Sequence, residues 1–148
     1  MIQGVSIKKV VKHADERGFF AELVKFGEDT YHEVLQTSYS ETKPGIIKAW
    51  HIHDYWEVWS VIKGQAKVVL FDCRPGSPTK GEIQVIYTGE DNMQVLAIPG
   101  EVAHGYKVLG AKNMGIIYHA SAAYDPKNIT IRTIPYDDPE INFDWTKP

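Results

Sequence analysis

The chain has 148 residues, a formal net charge of −3 and a hydrophobic content of 43%. This length suits one domain, residues 1–148, with a sizeable core, and the lack of a basic run excludes nucleic acid as the expected partner. No apolar run approaches the roughly 18 residues of a membrane helix, and the first residues lack the apolar stretch of a signal peptide, so we expect no membrane association and a cytoplasmic location.

Short segments of strand-like composition follow one another along the chain, separated by turns rich in Gly, Pro, Asn and Asp. The sequence predicts strands within residues 1–12, 19–24, 31–40, 46–50, 58–62, 65–72, 83–88, 93–98, 106–109, 114–120 and 129–134. No long stretch has the 3.6-residue period of a helix. The pattern therefore predicts an all-β barrel or double-sheet jelly roll, whose mouth can hold one small ligand.

The most informative stretch lies between Gly45 and Gly64, because it contains two histidines, a glutamate and three tryptophans. His51 and His53 are two residues apart, so on one strand their side chains point to the same face. Glu57 shares that face if the strand continues or returns after a tight bend. Two imidazoles and a carboxylate on one face indicate either metal ligands or acid–base groups.

Two segments resemble the motifs of the cupin superfamily. In the first, five residues separate Gly45 from His51-x-His53, and Glu57 and a second glycine, Gly64, follow at the motif's spacing. In the second, Pro99 stands five residues before His104. The resemblance implies a cupin double-stranded β-helix, which is a jelly roll formed by a single domain.

Within the cupins, most of the chain resembles the dTDP-4-dehydrorhamnose 3,5-epimerase family. The matching segments are D-E-R-G-F-F-A-E (15–22), Q-T-S-Y-S (36–40), G-I-I-K-A-W-H (45–51), C-R-P-G-S-P-T-K-G (73–81), I-P-G-E-V-A-H-G-Y-K-V-L (98–109), I-I-Y-H (116–119) and Y-D-D-P-E-I-N-F-D-W (136–145). The resemblance implies a cofactor-free epimerase of cell-surface polysaccharide biosynthesis. Its substrate would be a nucleotide sugar, a dTDP-4-keto-6-deoxyhexose.

The resemblance also implies roles for individual residues. His51 stands at the position of the general base, Asp138 at that of its carboxylate partner, and Tyr118 at that of the acid on the opposite face of the sugar, with Tyr124 as a nearby substitute. The positions that would bind substrate are Arg17, Phe19, Glu22, Gln36, Lys48 and His104. In that family the segment that corresponds to residues 15–20 reaches a neighbouring subunit, which implies a homodimer.

Glu57 departs from the family, which has an enolate-stabilising Lys at this position, and His53 replaces a Gln. A carboxylate repels an enolate. Together His51, His53, Glu57 and His104 form a set suited to one Zn, Fe, Mn or Ni ion, which could polarise the ketone in place of the Lys. A histidine that binds a metal cannot also act as a free base, so the two interpretations compete for His51.

Three hypotheses follow from the sequence. The first is a nucleotide-sugar epimerase or isomerase with His51 as its base. The second is a metal-dependent cupin enzyme, an isomerase or an oxygenase, with the four-residue metal set. The third is a non-catalytic cupin that binds a sugar nucleotide or a small acid.

Overall fold

Twelve β-strands form the regular structure of residues 1–147, which are the residues that this computed structural model describes. They are β1 (Ser6–Lys9), β2 (His13–Asp15), β3 (Gly18–Phe20), β4 (Gln36–Thr42), β5 (Ile47–Ile52), β6 (Glu57–Lys63), β7 (Gln65–Asp72), β8 (Ile83–Gly89), β9 (Gln94–Ile98), β10 (Val102–Leu109), β11 (Met114–Ala120) and β12 (Arg132–Thr133). Within this range there is no helix with the length and apolar character needed to cross a membrane.

Two five-stranded antiparallel sheets carry the fold, with strand orders β1-β9-β6-β11-β4 and β12-β5-β10-β7-β8. The chain passes repeatedly between them: β5 belongs to the second sheet, β6 to the first and β7 to the second again. A separate hairpin pairs β2 with β3. This double-sheet arrangement is a cupin-like jelly roll and confirms the predicted fold class.

The core lies between the two sheets, because buried side chains from both belong to one apolar cluster. Val61 and Leu96 come from the first sheet, and Val68 and Leu70 from the second, and each is at most 1% exposed. Burying a side chain of this size contributes about 1.5–3 kcal/mol. Trp59, Tyr106 and Ile116 belong both to this cluster and to the lining of a cavity between the sheets, so the core supports the cavity.

The predicted strands were wrong in three segments. Residues 21–24, 31–35 and most of 129–134 are not strands. In the first of these segments Leu23 and Val24 pack against the buried cluster of Val58 and Val95. Their apolar character therefore serves packing against the outside of a sheet and not strand pairing.

Strand β10 begins at Val102, four residues before the predicted start. Ala103 and Gly105 have low strand propensity, but pairing with both β5 and β7 overrides it. A Cβ added at Gly105 would lie 2.3 Å from the Cβ of Ala49, so only glycine allows β5 to pass this closely. The close pairing places His104 beside His51 in the register of β10 and β5.

One buried carboxylate, that of Asp72, holds the turn between β7 and β8. Arg74 donates to it through its backbone N–H and through Nε and Nη2, at 3.1, 2.9 and 2.8 Å. The hydroxyls of Ser77 and Thr79 donate to its Oδ2, both at 2.6 Å. The Arg74 side-chain hydrogen bonds, followed by those of the two hydroxyls, hold the pKa of Asp72 far below its ordinary value. The matching segment C-R-P-G-S-P-T-K-G therefore builds a turn around this carboxylate.

We expect Asp72→Asn to lower the free energy of unfolding at pH 7 by roughly 2–3 kcal/mol, because it leaves Arg74 without its buried partner. The native pKa lies below the unfolded value of about 3.9. The carboxylate therefore contributes stability above that pH and loses the contribution as the pH falls through the native pKa.

Urea denaturation of both proteins checks this expectation, with Asp91→Asn as the control because Asp91 bonds Gln65 at the surface. The difference in the free energy of unfolding between wild type and Asp72→Asn should become smaller below about pH 4. A difference that stays constant down to about pH 3 would contradict the proposed role of the charge.

Candidate active site

A cavity of about 340 Å³ lies between the two sheets, which is within the size range of small-molecule sites. Residues from strands of both sheets line it. Among them are the sequence-predicted Gln36, Lys48, His51, His53, Glu57, Tyr118 and Tyr124.

His51 and Tyr118 face this cavity from opposite sheets. His51 lies on β5 of the second sheet, where its backbone pairs with His104 on one side and with Thr133 on the other. Tyr118 lies on β11 of the first sheet, between Ser38 of β4 and Trp59 of β6. Both are therefore on strands paired at both edges, which hold functional side chains more firmly than loops do.

The half-buried ring of His51 is held in its neutral form. Burial is the larger cause of its lowered pKa, and the positive charge of Lys48 adds to it. A neutral imidazole keeps a lone pair at neutral pH, which both a base and a metal ligand require.

A buried group of His53, Glu57 and His104 lies next to the cavity, with exposed fractions of 6%, 5% and 2%. His53 Nε2 is 3.4 Å from Glu57 Oε1, and His104 Nε2 is 3.5 Å from Glu57 Oε2. Trp59 Nε1 donates to Glu57 Oε2 at 2.8 Å. Burial raises the pKa of Glu57 to about 7 and lowers the pKa of His53 to about 4 and that of His104 to about 3.

Three of the four predicted metal ligands come together in this group, since one ligand atom from each lies within 4.8 Å of the others. His51 lies outside it, with its ring centroid 6.4 Å from that of His53 and 6.5 Å from that of His104. His51 lies within β5, whereas His53 comes after the end of β5 at Ile52 and Glu57 begins β6 of the other sheet. The turn between the two sheets therefore separates His51 from His53 and Glu57.

Several other predicted residues are not in the cavity of this chain. Asp138 Oδ1 instead accepts the backbone N–H groups of Glu140 and Ile141 and stabilises a turn, and within residues 1–147 it forms no hydrogen bond with His51. Arg17 and Phe19 lie on the exposed β2–β3 hairpin, where Arg17 pairs with Asp15 at 2.5 Å. Glu22 follows this hairpin, and His104 lies behind the cavity wall.

Tyr55 is a cavity residue that the sequence interpretation missed. Its ring stacks on His53, with the centroids 4.7 Å apart. Burial and the negative charge of Glu57 raise its pKa to about 12. The two-residue spacing that links His51 to His53 extends to Tyr55, so the same pattern could have identified it.

Comparisons with known proteins agree with this architecture. The family model described as dTDP-4-dehydrorhamnose 3,5-epimerase matches residues 1–148. The chain is 48% identical over 146 residues to the spore coat polysaccharide biosynthesis protein SpsL of Bacillus subtilis. This match covers 98% of this chain and 97% of that protein. It is 35% identical over 147 residues to a probable low-salt glycan biosynthesis epimerase of Haloferax volcanii, with coverage of 97% and 94%.

Among solved structures, the dTDP-6-deoxy-D-glucose-3,5-epimerase of Legionella pneumophila, in complex with dTDP-4-keto-L-rhamnose, superimposes with a TM-score of 0.84. It shares 28% identity, and the match covers 97% of this chain and 79% of that chain. The whole-chain match to the family model, together with these likenesses, shows that this protein belongs to the dTDP-4-dehydrorhamnose 3,5-epimerase family, a family of isomerases.

Proposed function

We propose that this protein epimerises or isomerises a dTDP-4-keto-6-deoxyhexose, with His51 removing the proton next to the C4 ketone. The observation that carries the proposal is that His51 and Tyr118 face one cavity from opposite sheets. A sugar ring bound between the sheets would have a base on one face and an acid on the other. The names of the Bacillus and Haloferax relatives support a role in cell-surface polysaccharide biosynthesis.

The chemistry needs one proton acceptor and one proton donor. A proton next to a ketone is weakly acidic, and a neutral imidazole can accept it near neutral pH. The electrons of the C–H bond pass to the C4 oxygen and form an enolate. The phenol of Tyr118 then protonates the same carbon from the opposite face, which inverts it. Solvent afterwards takes the proton from His51 and returns one to Tyr118, so the cycle closes without an organic cofactor.

Substrate binding would use residues of the cavity and of the exposed hairpin. Lys48 and Gln36 line the cavity, where Lys48 offers a positive charge to a diphosphate. Arg17 and Phe19 are exposed on the hairpin, so we assign them, with the neighbouring Glu22, to the cavity of a second copy in a homodimer. A sedimentation mass of one chain would contradict this assignment.

Two sequence predictions receive no support from these contacts. The pairing of Asp138 with His51 stays a prediction, since in this structure the Asp138 carboxylate binds backbone amides of its own turn. The cytoplasmic location also stays a prediction. Family membership favours isomerase over oxygenase chemistry.

Solvent exchange tests the proposed function. The untagged protein is incubated with dTDP-4-keto-6-deoxyglucose in deuterium oxide, and NMR follows each carbon next to the ketone. We expect deuterium to enter at one or both of these carbons, together with inversion. Tight nucleotide binding without any exchange would contradict the proposal and favour the non-catalytic alternative.

A further inference from the structure

We propose that the phenol of Tyr55 donates a hydrogen bond to the C4 oxygen of the bound sugar and stabilises the enolate that forms there. This inference rests on the proposed function, because it concerns the oxygen that receives the electrons of the broken C–H bond. The phenol keeps its own proton throughout. When the carbon is protonated again, the electrons return from the oxygen and the ketone forms once more.

Tyr55 lies in the connection between the two sheets. Strand β5 carries His51 and ends at Ile52, and β6 begins at Glu57 in the opposite sheet. Tyr55 therefore belongs to a side wall of the cavity that His51 and Tyr118 face. A sugar with a base on one face and an acid on the other has its ketone oxygen near the plane between them, so this oxygen points to a side wall and toward neither sheet.

The direction of β5 indicates which side wall the oxygen faces. Lys48, which we assign to the diphosphate, precedes His51 by three residues, and Tyr55 follows His51 by four. A strand advances about 3.3 Å per residue, so Lys48 and Tyr55 lie on opposite sides of the base. In a hexopyranose, C1 and C4 are opposite each other across the ring. With the diphosphate of C1 at Lys48, the C4 oxygen lies toward Tyr55.

The other polar side chains at this end of the cavity are unsuited to the role. Glu57 turns its carboxylate to His53 and Trp59, and its negative charge repels an enolate. His53 directs Nε2 to that carboxylate, and its Nδ1 is fully buried. The indole N–H of Trp59 already donates to Glu57. Within residues 1–147 the phenol of Tyr55 forms no hydrogen bond, so its proton is available to a substrate.

The ring of Tyr55 is held in place without the use of its hydroxyl. It stacks on the ring of His53, with the centroids 4.7 Å apart and an interplanar angle of 26°. A donor that is already positioned needs no reorganisation when charge develops on the oxygen. Removing one such donor typically slows a reaction by about 10²–10³-fold.

Tyr55→Phe tests the inference, because it keeps the stacked ring and removes only the hydroxyl. Wild type and variant are saturated with dTDP-4-keto-6-deoxyglucose in deuterium oxide, and NMR follows exchange and inversion at each carbon next to the ketone. We expect both to slow by about 10²-fold, in parallel at every carbon that the wild type exchanges, because these reactions share one enolate oxygen. The dissociation constant of dTDP, which has no ketone, should stay near the wild-type value in calorimetry.

A carbon-13 label at C4 gives a readout that a merely structural role would not move. In His51→Asn the bound ketone persists, and its C4 resonance should move downfield on binding, because a hydrogen bond to the oxygen withdraws electrons from the carbon. Adding Tyr55→Phe to this variant should remove most of the displacement. An equal displacement in the single and the double variant would overturn the inference.

Two further variants complete the comparison. Tyr39→Phe removes a phenol that bonds Glu41 at 2.8 Å and is not part of the cavity lining, so it should exchange at the wild-type rate. Lys48→Gln should weaken dTDP binding, because it removes the charge offered to the diphosphate. Slow exchange at saturation in Lys48→Gln, together with wild-type exchange in Tyr55→Phe, would make Lys48 the donor and overturn the inference.

The wild type and Tyr55→Phe together separate the two proposals. No exchange in the wild type removes the proposed function and this inference with it. Exchange in the wild type that Tyr55→Phe leaves unchanged removes only the role of Tyr55. Exchange that persists in Tyr55→Phe while inversion is lost would make Tyr55 a proton donor to carbon, which would also overturn the inference.

Discussion

Replacing His51 by Asn is expected to slow deuterium exchange into dTDP-4-keto-6-deoxyglucose by about 10³-fold. Asn has a similar polar reach, but its amide nitrogen does not accept a proton at neutral pH. Such a loss corresponds to about 4 kcal/mol of activation free energy. Substrate binding should change little, since Lys48 and Gln36 remain in the cavity.

His119→Asn is the matched control. His119 lies one residue after Tyr118 on β11, but its ring bonds the Thr37 hydroxyl at 2.9 Å and is not part of the cavity lining. NMR should give initial exchange rates near wild type for this variant. Exchange at the wild-type rate in His51→Asn, with His119→Asn also unaffected, would remove His51 from the base position.

Local spacing was sufficient to predict part of the site. The two-residue period placed His51 and His53 on one face, and both line the cavity. The same period in β4 brings Gln36 and Ser38 to that cavity. Both are relations between residues two apart in the sequence, so a sequence pattern contains them, although His53 lies just beyond the end of β5.

Positions that depend on pairing between distant strands could not be predicted in this way. Glu57 starts a strand of the opposite sheet, and only the cross-sheet path of the chain brings it to His104. Spacing alone therefore joined four residues into one metal set, whereas the fold joins three and leaves His51 apart.

The turn around Asp72 is a further case. Its matching segment suggested relatedness, but the sequence alone did not assign its residues to substrate or to structure. The hydrogen bonds from Arg74, Ser77 and Thr79 to one buried carboxylate explain the residue types as structural. Similarity of a segment to a family thus does not by itself distinguish a substrate-binding loop from a turn that hydrogen bonds stabilise.

Replacing Tyr118 by Phe is expected to separate exchange from inversion. Inversion should fall by about 10²-fold or more, because no phenol remains to protonate the carbon from the second face. Exchange with retained configuration should persist within a few-fold, because His51 can still remove the proton, exchange it with solvent and return it to the same face. NMR distinguishes deuterated, uninverted substrate from the epimer.

Tyr124→Phe tests the other tyrosine that sequence interpretation offered as the acid. Tyr124 lines the same cavity but is 60% exposed, and its backbone N–H donates to Gln36 Oε1 at 2.7 Å. Because Tyr118 is fixed between two paired strands and Tyr124 lies outside the strands, we expect near-normal inversion in Tyr124→Phe. If Tyr124→Phe instead gives exchange without inversion while Tyr118→Phe behaves as wild type, the acid is Tyr124. The position of Tyr118 on the sheet opposite His51 would then not identify the proton donor.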